Sequence, residues 1–205
     1  MTTIKTNKRQ ICLKCEYPQS TCLCDWINPI TPPLSIIVLQ HPKEAIHAKN
    51  TVKLLTLGLT KLTVLKGEKP EDWAELAQNV AKQPHRYCLL YPHKNSNAIE
   101  LITSPQQKEI YFPANHNIIF IDASWRKALK IWHLNPWLQL CNSWHFTSPP
   151  NNQYHIRHTT QKSSLSTLES VIYVLERTHN IDCSTLHTLF LKMQQICFYK
   201  KKLIK

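Results

Sequence analysis

Short apolar runs alternate with stretches of helical periodicity along most of the chain. Leu34 to Gln40, Leu62 to Leu65, Arg86 to Tyr91 and Asn117 to Ile121 have the length and the β-branched or aromatic content of strands. Helices are predicted from about Glu44 to Leu57, Glu71 to Lys82, Ser124 to His133, Leu165 to Arg177 and Thr185 to Phe198. Runs such as Ser35-Ile36-Ile37-Val38-Leu39 lack polar alternation, as strands do when both faces of their sheet are covered. The pattern predicts an α/β fold with a mostly parallel sheet flanked by helices. Glu68, Glu71, Asp72 and Glu75 gather where a helix begins at Pro70, so their charges complement its dipole.

The first thirty residues follow a different logic. Four cysteines fall in thirteen residues as Cys12-x2-Cys15-x6-Cys22-x-Cys24, with Pro18 favouring a turn between the pairs. Four closely spaced thiols match the tetrahedral preference of zinc, and structural Zn2+ is the predicted occupant. The final C-x-C is tighter than the usual knuckle, which leaves a redox pair, another metal or a degenerate site as alternatives. Cys88, Cys141, Cys183 and Cys197 stand singly among apolar neighbours and read as small buried hydrophobes. Pro29, Pro32 and Pro33 mark a linker, dividing the 205 residues into an expected metal-binding module over 1–30 and an α/β domain over 31–205.

Charge narrows the range of partners. Lys and Arg number 25 against 13 Asp and Glu, a formal +12, which suits a polyanion such as nucleic acid or else is simply a basic, soluble surface. No apolar run approaches the roughly 20 residues of a membrane span, and Met1 to Gln10 lacks the apolar region of a secretory signal. The expectation is a cytoplasmic protein with no membrane association. The only glycines, Gly58 and Gly67, cannot build a G-x-G-x-x-G turn or a P-loop. A ligand is then expected at the carboxyl ends of the strands, held by whatever follows each apolar run.

Those positions carry His41, Lys43 and Glu44, then Leu90-Tyr91-Pro92, then Ile121-Asp122 with Ser124 and Trp125. Further on come Arg157 and the segment Leu165-Ser166-Thr167-x-Glu169. Each has a purely structural reading beside the functional one. Asp122 can cap the helix that follows it, Ser166 and Glu169 form a capping box, and Trp125 shares a helical face with Trp132, as core residues do. Arg157 suits a carboxylate or phosphate, or a surface ion pair. Lys43, Lys49, Lys53, Arg126, Lys127 and Lys130 lie beside these segments and can meet phosphates or only solvent.

Taken in order, the cysteine cluster, His41-Pro42-x-Glu44 with Asn50-Thr51, Leu90-Tyr91-Pro92, Asp122-x-Ser124-Trp125 with Arg126 and Ala128, Ile156-Arg157 and Ser166-Thr167-x-Glu169 resemble the DTW-domain family. The resemblance runs from about Cys12 to Arg177. It implies a SPOUT-related fold, knotted around an S-adenosylmethionine site, and transfer of that co-substrate's 3-amino-3-carboxypropyl group to N3 of a tRNA uridine. It places Asp122, Ser124 and Trp125 at the chemistry, and Leu90, Tyr91, Pro92, Ile121, Arg157, Leu165, Ser166, Thr167 and Glu169 at the co-substrate. His41, Lys43, Glu44, Asn50, Thr51, Arg126 and Lys127 fall to the tRNA, and no stable protein partner is implied. The family motif is usually Asp-x-Thr-Trp, often with glycine at x. Ser124 keeps the hydroxyl here, but Ala123 lacks glycine's freedom at positive φ.

The chemistry sets its own conditions. Uridine N3 must lose a proton before or during attack, so Asp122 is expected either as a base or as an acceptor that orients the uracil. The target nucleotide must be unpaired, because pairing hides N3. An RNA methyltransferase using the same co-substrate and a non-catalytic zinc-containing RNA-binding protein remain the alternatives.

Overall fold

The computed structural model describes residues 9–156 and 164–199. Six strands form one sheet: β1 (Ser35–Gln40), β2 (Leu62–Lys66), β3 (Tyr87–Leu90), β4 (Asn97–Ala98), β5 (Asn117–Asp122) and β6 (Asn142–His145). Their order is β2-β1-β5-β3-β6-β4, and every pairing is parallel. All carboxyl ends therefore lie along one edge, with β5 and β3 at the centre.

The helices are α1 (Pro42–Ala45), α2 (Val52–Gly58), α3 (Ala74–Lys82), α4 (Pro105–Tyr111), α5 (Trp125–Leu134), α6 (Thr167–His179) and α7 (Ser184–Gln194). They cover both faces of the sheet, as the continuous apolar strands require. Ile36 and Val38 of β1 pack with Ile118 and Phe120 of β5 into a core shared with α2, α6 and α7. The alternate residues Ile37, Leu39 and Ile119 face a second core with α3 and α5. The strand period of two thus divides one apolar run between two cores.

The cysteine segment belongs to the first of these cores. Cys15, Tyr17 and Leu23 are buried in it beside Leu186 and Phe190 of α7, and the 3-10 turn Cys24–Trp26 rests against that helix. Gly58 at the end of α2 permits the α2–α7 contact, since a Cβ there would stand 2.2 Å from Leu186 Cδ2.

Several elements depart from the sequence reading. The single helix expected from Glu44 to Leu57 is two, α1 and α2, because the connecting residues find closer partners. Asn50 Oδ1 accepts from the Val52 N–H, Asn50 Nδ2 donates to the Ala45 carbonyl, and His47 Nδ1 accepts from the Lys49 N–H. Side chains that bond their own backbone in this way compete with a continuous helix. The helix expected from Glu71 starts as the 3-10 turn Pro70–Trp73, and the last predicted helix ends in a π-helical turn, Gln195–Tyr199. Strand β6 was not anticipated, since Asn142, Ser143 and His145 leave little apolar signal. Helix α4 escaped as well, although Ser104-Pro105-x-Gln107 is a legible capping box, with Pro105 in the first turn.

Candidate active site

The carboxyl ends of β5, β3 and β6 open into a cavity of about 650 Å³. Its wall includes Leu90, Tyr91 and Pro92 after β3, Ile121 and Asp122 of β5, and Leu165 and Thr167 at the start of α6. These predicted site residues come from three separate stretches of chain and are brought together only by the sheet order.

Asp122 is held from two sides. One carboxylate oxygen accepts from Gln40 Nε2 at 2.9 Å and the other from Thr167 Oγ1 at 2.6 Å. Gln40 ends the adjacent β1, is 2% exposed, and also donates to Asn50 Oδ1 at 3.2 Å. Buried polar groups cost free energy unless bonded, so this network fixes the carboxylate and ties the α1–α2 connection to the sheet. The capping role open to Asp122 in the sequence is not the one its side chain takes. Ser124 is the N-cap of α5 by backbone geometry, without a side-chain cap bond.

The Asp122-Ala123-Ser124-Trp125 turn accommodates its alanine without strain. Positive φ among the described non-glycine residues is confined to Glu16, Asn115 and Asn180, so Ala123 is not asked for a glycine conformation. Trp125 and Trp132, one face in the sequence, part company in the structure. Trp132 is 8% exposed in the core, stacked on Tyr91, whereas Trp125 is 58% exposed on the cavity rim.

The α1–α2 connection forms the opposite rim through Glu44, His47, Lys49, Asn50 and Thr51. Glu44 pairs with Lys127 of α5 at 2.8 Å. Burial pushes the Glu44 pKa up, but the Lys127 ammonium outweighs it and the carboxyl ends below its usual range. His41 is buried, accepts from the Lys43 N–H at the start of α1, and lies 3.5 Å from Glu68, which also pairs with Lys130. Lys43 and Arg126 are exposed. Lys53 lies away from the cavity, over the Tyr17 ring and donating to the Glu16 carbonyl.

At α6, Ser166 and Glu169 form the expected reciprocal capping box, and Glu169 Oε1 also accepts from the Gln153 N–H at 2.6 Å. Both are buried and sit behind the cavity wall, where they set the position of Thr167. Arg157, assigned to the co-substrate on sequence, lies outside the described residues.

The structure adds a wall that sequence reasoning missed: Trp144 and His145 of β6, then Phe146, Thr147 and Pro149. Glu100 pins this segment, accepting from the N–H groups of Thr147 and Ser148, the Thr147 hydroxyl and the Tyr173 hydroxyl. His145 Nδ1 lies 2.9 Å from Ser96 Oγ. An aromatic and a histidine at the end of a polar segment were the available signal, but only the pairing of β6 with β3 makes them neighbours of the site.

A second cluster lies in the cysteine segment. The four sulfurs of Cys12, Cys15, Cys22 and Cys24 fall within 4.8 Å of one another, with Cys12–Cys24 at 3.5 Å and Cys15–Cys22 at 3.7 Å. A tetrahedral site with Zn–S near 2.3 Å needs S···S separations of about 3.8 Å, so the cluster can hold such an ion. The thiols are unequal. The Cys15 and Lys14 N–H groups draw Cys12 down to about 6, while Cys22 and burial push Cys24 up to about 12. Four thiolates this close need a cation to offset their mutual repulsion.

Comparison with known proteins bears on the whole arrangement. The family model described as the DTW domain matches residues 9–198. A mouse protein named "tRNA-uridine aminocarboxypropyltransferase 2" is 26% identical over 199 residues, covering 94% of this chain and 64% of its own length. Its Drosophila melanogaster namesake is 28% identical over 176 residues, covering 82% and 66%. An Arabidopsis thaliana protein named "tRNA-uridine aminocarboxypropyltransferase A" is 29% identical over 134 residues, covering 61% and 51%. The chain thus spans less than two thirds of the length of these relatives. No solved structure matches it.

Proposed function

The chain belongs to the DTW-domain family, and from that premise we propose that it transfers the 3-amino-3-carboxypropyl group of S-adenosylmethionine to N3 of an unpaired uridine in tRNA. The carrying observation is the convergence of Leu90–Pro92, Asp122, Leu165 and Thr167 on one cavity at the carboxyl edge of a parallel sheet. The relatives' names supply the reaction class.

A cavity of about 650 Å³ with mixed walls is of the size that takes a nucleoside-sized ligand. Leu90, Tyr91, Pro92, Ile121, Leu165 and Thr167 form the co-substrate side, with Ser166 and Glu169 positioning that wall, and Arg157 is assigned to co-substrate binding by the family resemblance. Asp122 serves as a fixed acceptor that orients a hydroxyl or ammonium donor. Ser124 sets the start of α5, and Trp125 offers an exposed ring on which an extruded base can stack. Lys43 and Arg126 meet phosphates near the rim, which Glu44, Asn50 and Thr51 shape, while the Lys49 ammonium donates to the Ile156 carbonyl. His41 and Lys127 act through their pairs with Glu68 and Glu44. The cysteine cluster holds one structural zinc. The fold is SPOUT-related and knotted, and the protein works in the cytoplasm without a stable protein partner.

The sulfonium activates three carbons, and the one in line with the nucleophile is attacked. Attack on the side-chain carbon leaves methylthioadenosine, and attack on the methyl carbon leaves S-adenosylhomocysteine. The test is incubation with unmodified tRNA and S-adenosylmethionine, followed by mass spectrometry of nucleosides and small products. Methylthioadenosine with aminocarboxypropyl-uridine is expected. Methylated tRNA would move the protein to the methyltransferases, and binding of both ligands without turnover would make it a non-catalytic RNA-binding protein.

A further inference from the structure

Resting on the transferase reading above, we propose that His145 is the general base that removes the uracil N3 proton, with Ser96 as the positioning residue that leaves its Nε2 lone pair free to do so. Hydrogen-bond inventory fixes the tautomer. A serine hydroxyl has one proton and two acceptor lone pairs. Ser96 Oγ lies 2.7 Å from the His93 carbonyl, which can only accept, so the hydroxyl proton goes there. One lone pair of Ser96 Oγ accepts from the His93 N–H at 3.0 Å. The other faces His145 Nδ1 at 2.9 Å, which must therefore be the donor. A neutral imidazole protonated on Nδ1 carries its lone pair on Nε2.

That nitrogen is available to a ligand. His145 lines the cavity, and its Nε2 makes no hydrogen bond among the described residues and is not sealed from solvent. His93, the nearest titratable ring on the Ser96 side, stacks on Trp132 at 4.5 Å. Burial, with His145 beside it, holds the His93 pKa below its ordinary value, so it stays neutral and adds no second cation at neutral pH.

Placement suits a base working opposite Asp122. Strand β3 lies between β5 and β6, so the ends bearing Asp122 and His145 are two strand spacings apart, about 10 Å. On this reading the uracil ring lies over Leu90–Pro92, which line the same cavity as both residues. Both oxygens of Asp122 already accept bonds from Gln40 and Thr167, which leaves the carboxylate to position and the imidazole to take the proton. As the N3–H bond breaks, its proton passes to Nε2. The freed nitrogen pair forms the bond to the side-chain carbon, and the C–S pair stays on sulfur as neutral methylthioadenosine leaves. One positive charge, on the sulfonium at the start, ends on the imidazolium.

The test compares tRNA transcripts carrying uridine with transcripts carrying 5-fluorouridine, whose N3 proton is more acidic and needs less help to leave. Wild type and His145→Gln are measured in single-turnover mode at saturating tRNA and S-adenosylmethionine, with tRNA affinity measured separately. A loss of roughly 100-fold is expected on uridine, the scale of removing one base, with at least tenfold of it recovered on 5-fluorouridine and tRNA affinity unchanged. Ser96→Ala, which frees the tautomer while keeping the ring, is expected to lose a few-fold on uridine and less on 5-fluorouridine. Equal losses on both transcripts, or wild-type rates in His145→Gln, would overturn the assignment. Wild-type protein that releases no methylthioadenosine from either transcript would overturn the transferase reading itself, and the role of His145 with it.

Discussion

Asp122 illustrates how a residue acquires its meaning from neighbours far along the chain. Gln40 and Thr167 stand 82 and 45 positions away, yet both donate to its carboxylate. Asp122→Asn removes the charge and replaces one acceptor oxygen with a donor, so either Gln40 loses its acceptor or the Thr167 hydroxyl must turn from donor to acceptor. Single-turnover transfer is expected to fall roughly 10- to 100-fold, within the range for loss of a positioned polar group at a reacting centre. The fall is expected to be equal on uridine and 5-fluorouridine transcripts. Recovery on the more acidic substrate would make Asp122 the base instead. Ala123 and Ser124 were the doubtful letters of the sequence, yet neither costs the turn anything. No positive φ is required at Ala123, and Ser124 caps α5 by backbone geometry.

The cysteine loop is built into the rest of the protein. Its turn places four sulfurs at near-tetrahedral separations, while Cys15 and Leu23 anchor it in the core beneath α7. About one zinc per chain is expected in carefully purified protein, measured by elemental analysis, and Cys22→Ser should lower both zinc content and melting temperature. Because the loop shares its core with α7, metal loss should loosen that helix as well, readable by hydrogen exchange. Cys88→Ala should leave zinc content unchanged, since Cys88 sits in the sheet with its thiol toward the Tyr111 carbonyl. A folded, active, metal-free preparation would remove zinc from the account. The α1–α2 connection shows a related dependence. Its break into two short helices is what brings Glu44, His47, Lys49 and Asn50 to the cavity rim.

Across the whole molecule, a formal +12 favours association with a polyanion, but much of the charge beside the site is already committed. Lys127 and Lys130 are paired with Glu44 and Glu68, leaving Lys43 and Arg126 exposed near the rim. If about six cations meet phosphates, tRNA affinity should drop roughly 10³-fold between 50 and 200 mM salt, with a linear log–log slope. If S-adenosylmethionine binds inside the cavity, as proposed, its affinity should change far less over the same range. Filter binding and calorimetry separate the two. A flat salt response for tRNA would mean that the basic surface does not carry it.

The sequence by itself determined the α/β class, the parallel sheet, the four-cysteine cluster and the stretches that border the site. Those features are written in local terms: apolar runs too continuous for a half-exposed sheet, helix-capping pairs, and thiols a few residues apart. Only the tertiary structure decided which side chains face the cavity and which serve behind it. Ser166 and Glu169 carry the same letters as site residues but bond each other and the Gln153 backbone, while Trp125 and Trp132 share a helix and part into rim and core. His145 was invisible because a four-residue strand with one apolar side chain has no periodicity to detect. Its place beside the site comes from β6 pairing with β3, a contact between residues more than fifty positions apart, which no local pattern encodes.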